Sequence, residues 1–493
     1  MNQVKRKNLS KILLFVLLWL LLFPVWVSAQ DIVEPQWQGP HRISRPGVDI
    51  AGEAAMVLDP YGVVHVFWSE VDPDDEVNTI VYNTFDGQNW GIPIDIRATA
   101  PGLTIGSYDA VVYGDRVYVV WTEGTSGPVY IASASVFQSG SYHDWSRPLR
   151  LNMPAYRLKL NVDSKGVFHM MFVDFFGREP GIYYVYSTDF GETWTNPYWI
   201  DPDIPVTSTP NVLQFVIDDK DGLHASWYYV GDELSGSNGE MIRYTHSLDG
   251  GKSWMTPVTI DVNDQTVDEL RIPYPGLAVA GDTVHMIWAG TTETYREHRY
   301  SLDRGKTWSD TFRVFGNLQG QALGDAMVTD ASGRLHFFGQ IRWPQYVYHF
   351  TWTIEDGWSD PAGIYLISRD GNEGRQGRYH AHALRAIVRN GNELLVTFTD
   401  EAVGPLYAMW KTLPDVTAVP PAPTPTPEVK IELSPTPVPV PPTPTRIPLG
   451  PDSQRAPLEP PNTGSGVWLG VAPALALVMG VFVFYAVWRR RVG

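Results

Sequence analysis

Three arginines (Arg157, Arg271 and Arg342), two tyrosines (Tyr229 and Tyr274) and three acids (Asp109, Glu123 and Asp325) fall at corresponding places in a repeated strand pattern, ahead of a first strand or after a second. Guanidinium forks match a carboxylate, so such a set around one depression could hold an anionic or hydroxylated ligand. Glu53, Asn211 and His382 share the place ahead of first strands, and Glu70, Asp174, Glu293, Asp400 and Glu401 the place after second strands. Five histidines do not belong to this set. His65, His169, His224, His285 and His336 occupy one equivalent position inside second strands, which do not converge, so packing between repeats is expected rather than a metal cluster. Asp219, Asp221 and Gly222 faintly resemble a calcium loop, but they fall at a hairpin turn without the distal Glu, and a turn is expected.

The elements that position these residues come from an internal repeat. Seven tryptophans open similar segments: Trp37, Trp90, Trp145, Trp194, Trp254, Trp308 and Trp358, spaced by 53, 55, 49, 60, 54 and 50 residues. An apolar hairpin follows each, as in AAMVLDPYGVVHVFW ending at Trp68, and then a third strand such as GIYYVYS ending at Ser187. With the Trp-led strand this makes four short antiparallel strands per repeat, the pattern of a β-propeller blade. After the hairpin ending near Thr399 there is one more strand, GPLYAMWKTL, and no Trp-led strand. Residues Gln36 to Ile43 are predicted to supply it, closing a ring of seven four-stranded blades and removing its open edge.

The turns between third and fourth strands carry a motif. Ser187–Trp194 (STDFGETW), Ser247–Trp254 (SLDGGKSW) and Ser301–Trp308 (SLDRGKTW) share Ser-x-Asp-x-Gly-x-Ser/Thr-Trp. Ser and Asp can satisfy turn backbone groups, Gly permits positive φ, and Trp can bury its ring between strands. Asn83–Trp90 and Phe350–Trp358 look like eroded copies, the first with its acid, Asp86, one place late. The motif resembles the Asp-box, or bacterial neuraminidase repeat, of sialidase-like β-propellers. On that resemblance Ser187, Asp189, Gly191, Trp194, Ser247, Asp249, Gly251, Trp254, Ser301, Asp303, Gly305 and Trp308 are structural, and the three acids face away from the mouth.

The resemblance also implies chemistry. Sialidases hold a substrate carboxylate with three arginines and use a Tyr–Glu pair as nucleophile and an Asp as acid/base. Their first arginine lies in Phe-Arg-Ile-Pro at the start of the propeller. Here Leu270-Arg271-Ile272-Pro273 matches three places but falls in the fifth blade, His41-Arg42-Ile43-Ser44 lacks Phe and Pro, and the enzymes have six blades. The expectation is therefore a propeller binding an extracellular carbohydrate or protein at its mouth. The alternatives are an exo-acting glycoside hydrolase of the sialidase type and a structural scaffold of the cell envelope.

Composition bounds these readings. In 493 residues, aromatics reach 13%, charged residues 18%, and Gly and Pro 44 and 40, which suits a turn-rich all-β chain. The absence of Cys excludes disulfides, zinc-thiolate sites and a Cys nucleophile. A formal charge of −17 argues against nucleic acid as a partner, and no cofactor is expected.

The two ends predict export and anchoring. Residues 1–29 have Lys5, Arg6, Lys7 and Lys11, an apolar run from Ile12 to Val27 and a small-residue site before Gln30, the layout of a signal peptide; an uncleaved anchor would share that run. Between Pro414 and Pro461 lie 17 of the 40 prolines, so 414–464 is expected to form an extended stalk on the order of 100 Å long. Residues 467–488 carry no charge, enough to span the ~30 Å bilayer core as a transmembrane helix, and Arg489, Arg490 and Arg491 mark 489–493 as a cytoplasmic tail. The head, 30–413, is then extracellular. Pro461-Asn462-Thr463-Gly464 resembles the end of a sortase signal, with Pro460 in place of its leucine, so membrane anchoring is expected ahead of sortase-made wall attachment.

Overall fold

The computed structural model describes residues 36–419 apart from 51–52, 73–75, 175–179, 204–208, 231–240, 263–274, 290–295, 316–324, 342–345, 367–381 and 400–403. Seven antiparallel sheets succeed one another along the chain, six of them built from consecutive strands. The seventh takes its inner three strands (His382–Arg389, Glu393–Thr399, Leu406–Thr412) from the C-terminal side of the head and its outer strand, Gln38–Arg42, from the N-terminal side. Gln38 pairs with Trp410 and Arg42 with Tyr407, so the ring closes as the sequence predicts. Apart from one 3-10 turn, Tyr142–Asp144, the described elements are all β-strands.

Closure is also visible in the packing. Seven hydrophobic clusters fill the seven seams between neighbouring blades, including the closing seam, where Val64, Val66 and Trp68 of the first blade meet Leu395, Leu406 and Ala408 of the seventh. Trp68, Trp121, Trp227 and Trp288, each in a second strand, are fully buried. Truncating any of them to Ala would cost about 3–5 kcal/mol through lost burial and the cavity left behind.

The tryptophans that mark the repeat sit ahead of the outer strands, except Trp358, which lies in a two-residue strand, Gly357–Trp358, at the start of its blade's outer edge. Six strands begin four residues later, at Ile94, Leu149, Tyr198, Val258, Phe312 and Ala362, and all but Phe312 come directly after a proline: Pro93, Pro148, Pro197, Pro257 and Pro361. Proline has no N–H to give the ladder, so pairing resumes at the next residue. The head also runs past position 413. Leu413 and Val416 are buried in the seam between the sixth and seventh blades, and Val419 N–H donates to Asn390 O at 2.8 Å.

No helix among the described residues is long and apolar enough to cross a membrane. The proposed signal peptide, most of the stalk, the 467–488 span and the basic tail lie outside the described residues.

Candidate functional site

A turn on one face joins the first strand of every blade to the second, another on that face joins the third to the fourth in all but the seventh, and the opposite face is the mouth. On the turn face the three Ser-x-Asp-x-Gly turns have the same bonding. Ser187, Ser247 and Ser301 Oγ each donate to Oδ1 of the motif Asp at 2.7–2.8 Å and accept the motif Gly N–H at 2.8–2.9 Å. Asp189, Asp249 and Asp303 also accept the N–H and hydroxyl of Thr193, Ser253 and Thr307. Gly251 and Gly305 have φ of +83° and +84°, and a Cβ at either would meet the hydroxyl of Tyr184 or Tyr244 from the neighbouring blade. Side-chain and backbone bonds from Ser253 hold the Asp249 pKa down to about 2. In the altered turn at Asn83–Trp90, Asp86 still accepts the N–H groups of Gln88 and Asn89.

The second-strand histidines are buried between blades. His65, His224 and His336 Nε2 lie 3.0–3.2 Å from Asp59, Asp218 and Asp330, and His169 Nε2 lies 3.6 Å from Asp163. Their Nδ1 atoms meet Tyr82, Tyr184, Tyr244 or His349. Among the described residues no cluster of three or more His, Asp or Glu could hold a metal. Asp219, Asp221 and Gly222 form a turn, with Asp218 accepting the N–H groups of Lys220 and Gly222.

All seven first strands line an axial cavity of about 870 Å³, within the range that holds small ligands. Neighbouring first strands belong to different sheets, so side chains join them. Asp109 Oδ2 accepts Leu160 N–H at 2.9 Å, Ser107 Oγ accepts Leu158 N–H at 3.2 Å, and Asn161 Nδ2 donates to Phe215 O at 2.9 Å. Arg157, Lys159 and Asn161 alternate along Arg157–Val162 and line the cavity, while Leu158 and Leu160 on the other face fill a seam. Arg157 is exposed, with its guanidinium 5.0 Å from the centre of the Tyr156 ring, and no acid among the described residues pairs with it. Arg385 of the seventh blade, also on the cavity wall, is paired with Glu53.

Of the eight candidate residues, Arg271, Tyr274 and Arg342 lie outside the described residues, as do Glu293, Asp400, Glu401 and the His382 side chain. Asp109, Arg157 and Asp325 line the cavity. Asp109 sits within the strand Ile105–Tyr113 rather than ahead of it, because the strand starts earlier and bulges between Ile105 and Tyr108. Burial raises the Asp109 pKa against the opposing effect of Lys159 and two backbone N–H groups.

The other candidates serve the seams. Glu123 accepts Arg97 Nε at 2.8 Å from the preceding blade and Trp121 Nε1 at 3.4 Å. Glu70 is likewise held by Arg45 and Trp68. Asp325 is bound by buried Arg296 at 2.7 Å, so it reaches the cavity already neutralised. Tyr229 is 1% exposed, and desolvation and the nearby Asp201 carboxylate push its pKa up, the reverse of what an activated nucleophile needs. Asn211 and Asp174 fall in a first and a second strand respectively, Asp174 fully buried. Lys159 and Arg385 were not legible as site residues because they lie inside strands, two and three positions beyond the start, and away from any motif.

The chain matches no protein-family model and no curated protein. Solved structures similar to it include the NanB sialidase of Streptococcus pneumoniae, at 12% identity over 78% of this chain and 71% of that one, with a TM-score of 0.44. An ulvan lyase bound to a GlcA–Rha3S saccharide is 13% identical over 73% of this chain and 93% of its own, with a TM-score of 0.48. The α-L-arabinofuranosidase Arb93A of Fusarium graminearum is 11% identical over 63% and 94%, with a TM-score of 0.42. Similarity at this level says nothing about substrate, so function has to be argued from the cavity.

Proposed function

We propose that this chain is an exported, membrane-anchored β-propeller that binds an extracellular carbohydrate or protein ligand at its axial cavity without cleaving it. The observation that carries the reading is the division of labour at the mouth. Arg157 and Lys159 stand side by side on the cavity wall, while Glu123, Asp325 and Tyr229 are committed to ion pairs or buried in seams. An arginine with no ion pair among the described residues, beside a lysine in a concave, partly polar site, suits an anionic or hydroxylated ligand, and carbohydrate is the better fit. In this reading the Asp-box turns are structural, 1–29 directs export, the proline-rich segment is a stalk and 467–488 anchors it.

A glycan array probed with the purified chain tests this: retention of glycans in uncleaved form supports it, and no retention together with measurable cleavage overturns it. One observation favours a second reading, a glycoside hydrolase. Asp109 is a cavity carboxyl held toward its protonated form, as a general acid would be. Release of fluorophore from a panel of fluorogenic sialosides, abolished by Asp109→Asn, would establish that reading instead.

A further inference from the structure

The five second-strand histidines are not equivalent. His65, His169, His224 and His336 each have a carboxylate within 3.6 Å of Nε2, contributed by the turn just before the strand. In the fifth blade that turn is shorter, Ala280 pairs directly with Thr283, and no acid stands in the corresponding place. His285 instead meets a second buried histidine, His298 of the adjacent strand, with Nδ1 and Nε2 3.2 Å apart and the rings stacked at 5.4 Å. Both side chains are fully buried, and His285 Nε2 and His298 Nδ1 have no hydrogen-bond partner among the described residues.

The surroundings give a proton nothing to bind against. The rings touch Tyr300 and Phe312 of their own blade and Trp352 and Trp358 of the sixth. The nearby charges are engaged elsewhere. Glu297 accepts Trp288 Nε1, Arg299 donates to Thr311, Arg296 binds Asp325 and Asp282 is held by Lys220. Across the seam, Asp330 serves His336, which pairs with His349, and Arg334 binds Asp415. No carboxylate among the described residues acts on either ring of the pair; desolvation lowers the pKa of both, that of His285 to about 3.

We propose that the His285–His298 pair makes the seam between the fifth and sixth blades the acid-sensitive joint of the ring. A hydrogen bond between two imidazoles requires one ring nitrogen to accept; a first proton, taken on the free nitrogen of the donor ring, places an uncompensated cation among tryptophans, and a second removes the acceptor and with it the bond. The sign follows from linkage. Between pH 6.5 and about 3 the unfolded histidine binds a proton that the folded one refuses, so stability is full above 6.5 and falls as pH drops through that window. At pH 4.5 the opening equilibrium shifts about a hundredfold through His285, and His298, whose pKa burial also lowers, acts in the same direction. Gly276 and Asp325, at the inner edges of these two blades, line the axial cavity, so opening this joint deforms the ligand site and releases its occupant in acid.

Hydrogen–deuterium exchange of the full chain at pH 7.0 and 4.5, with labelling times scaled for intrinsic exchange, tests the proposal. Segments 276–289 and 346–358 are expected to lose protection at a higher pH than the second strands of the first blade, where His65 has Asp59, and of the second, where Tyr118 takes the corresponding part. His298→Phe should restore protection at pH 4.5 at least tenfold. If that variant does not fold, His298→Gln keeps a hydrogen-bonding group without a titrating ring. Equal protection of all four blades at pH 4.5, or an acid response unchanged in the folded variant, would overturn the proposal whether or not a ligand binds the cavity.

Discussion

Arg304, in the Ser-x-Asp-x-Gly turn of the fifth blade, reaches across a seam and binds Asp218, in the first turn of the fourth, with Nε at 2.7 Å and Nη2 at 2.9 Å. Asp218 also serves His224 and two backbone N–H groups, so one carboxylate ties the histidine network of one blade to the Ser-x-Asp-x-Gly turn of the next. Burial alone would raise its pKa, but His224, Arg304 and the turn N–H groups hold it well below the usual carboxylate range. Arg304→Ala should cost about 2–3 kcal/mol in urea unfolding, because it leaves a buried carboxylate short of its cation. The loss should shrink as pH falls below about 4, where the unfolded carboxyl is protonated and the pair contributes progressively less. A cost under about 0.5 kcal/mol at pH 7 would show the pair to be idle.

The acids of the Ser-x-Asp-x-Gly turns should matter for stability and not for binding. Asp249→Ala removes the acceptor for Ser247 Oγ and for the N–H and hydroxyl of Ser253, and should destabilise the chain by about 1–2 kcal/mol. Ligand affinity per folded molecule should stay within twofold of wild type. A selective loss of binding, with the melting temperature unchanged, would instead place Asp249 at the site.

Two mouth acids can be separated by the same logic. Glu123→Gln weakens an ion pair to Arg97 that joins two blades, so thermal stability should fall while saturable binding persists. Asp109 bridges two first strands at the cavity wall, so Asp109→Asn should change both stability and the pH dependence of binding. Calorimetric titration beside thermal melting would distinguish the two, and identical behaviour would contradict the division of labour at the mouth.

Ring closure gives a further expectation. Removing residues 36–43 deletes the outer strand of the seventh blade, the buried Ile43 and the Trp37 ring, which stacks edge-on against Phe338. The exposed edge of Leu406–Thr412 should then pair between molecules. Size-exclusion chromatography should show aggregation, and a monodisperse truncated chain would mean that closure contributes little.

Much of this architecture is written in the sequence at residue level. The Trp37-to-Trp358 spacings mark the blades, and the lack of an outer strand after Leu406–Thr412 points to Gln38–Arg42. The mouth was harder to read because a strand sends successive side chains to opposite faces. Trp68 and Glu70, like Trp121 and Glu123, stand two apart and so share a face, and the buried tryptophan draws its acid into the seam. That Trp-x-Glu spacing was visible and marks Glu70 and Glu123 as seam residues. An Asp six residues before His65, His169, His224 and His336 likewise signals the buried pairs, and its absence before His285 signals the exception. Arg385 and Lys159 leave no such trace, since their place on the cavity wall depends on how seven separate sheets converge.

The central claim, that the axial cavity binds a ligand without cleaving it, is tested most directly by measuring retention and integrity of array-selected glycans on the purified chain and on its Arg157→Ala/Lys159→Ala variant. The prediction is that wild type retains a glycan which is recovered intact, and that the folded variant binds it at least tenfold more weakly. Equal retention by both proteins, or recovery of the glycan cleaved by wild type, would contradict the account.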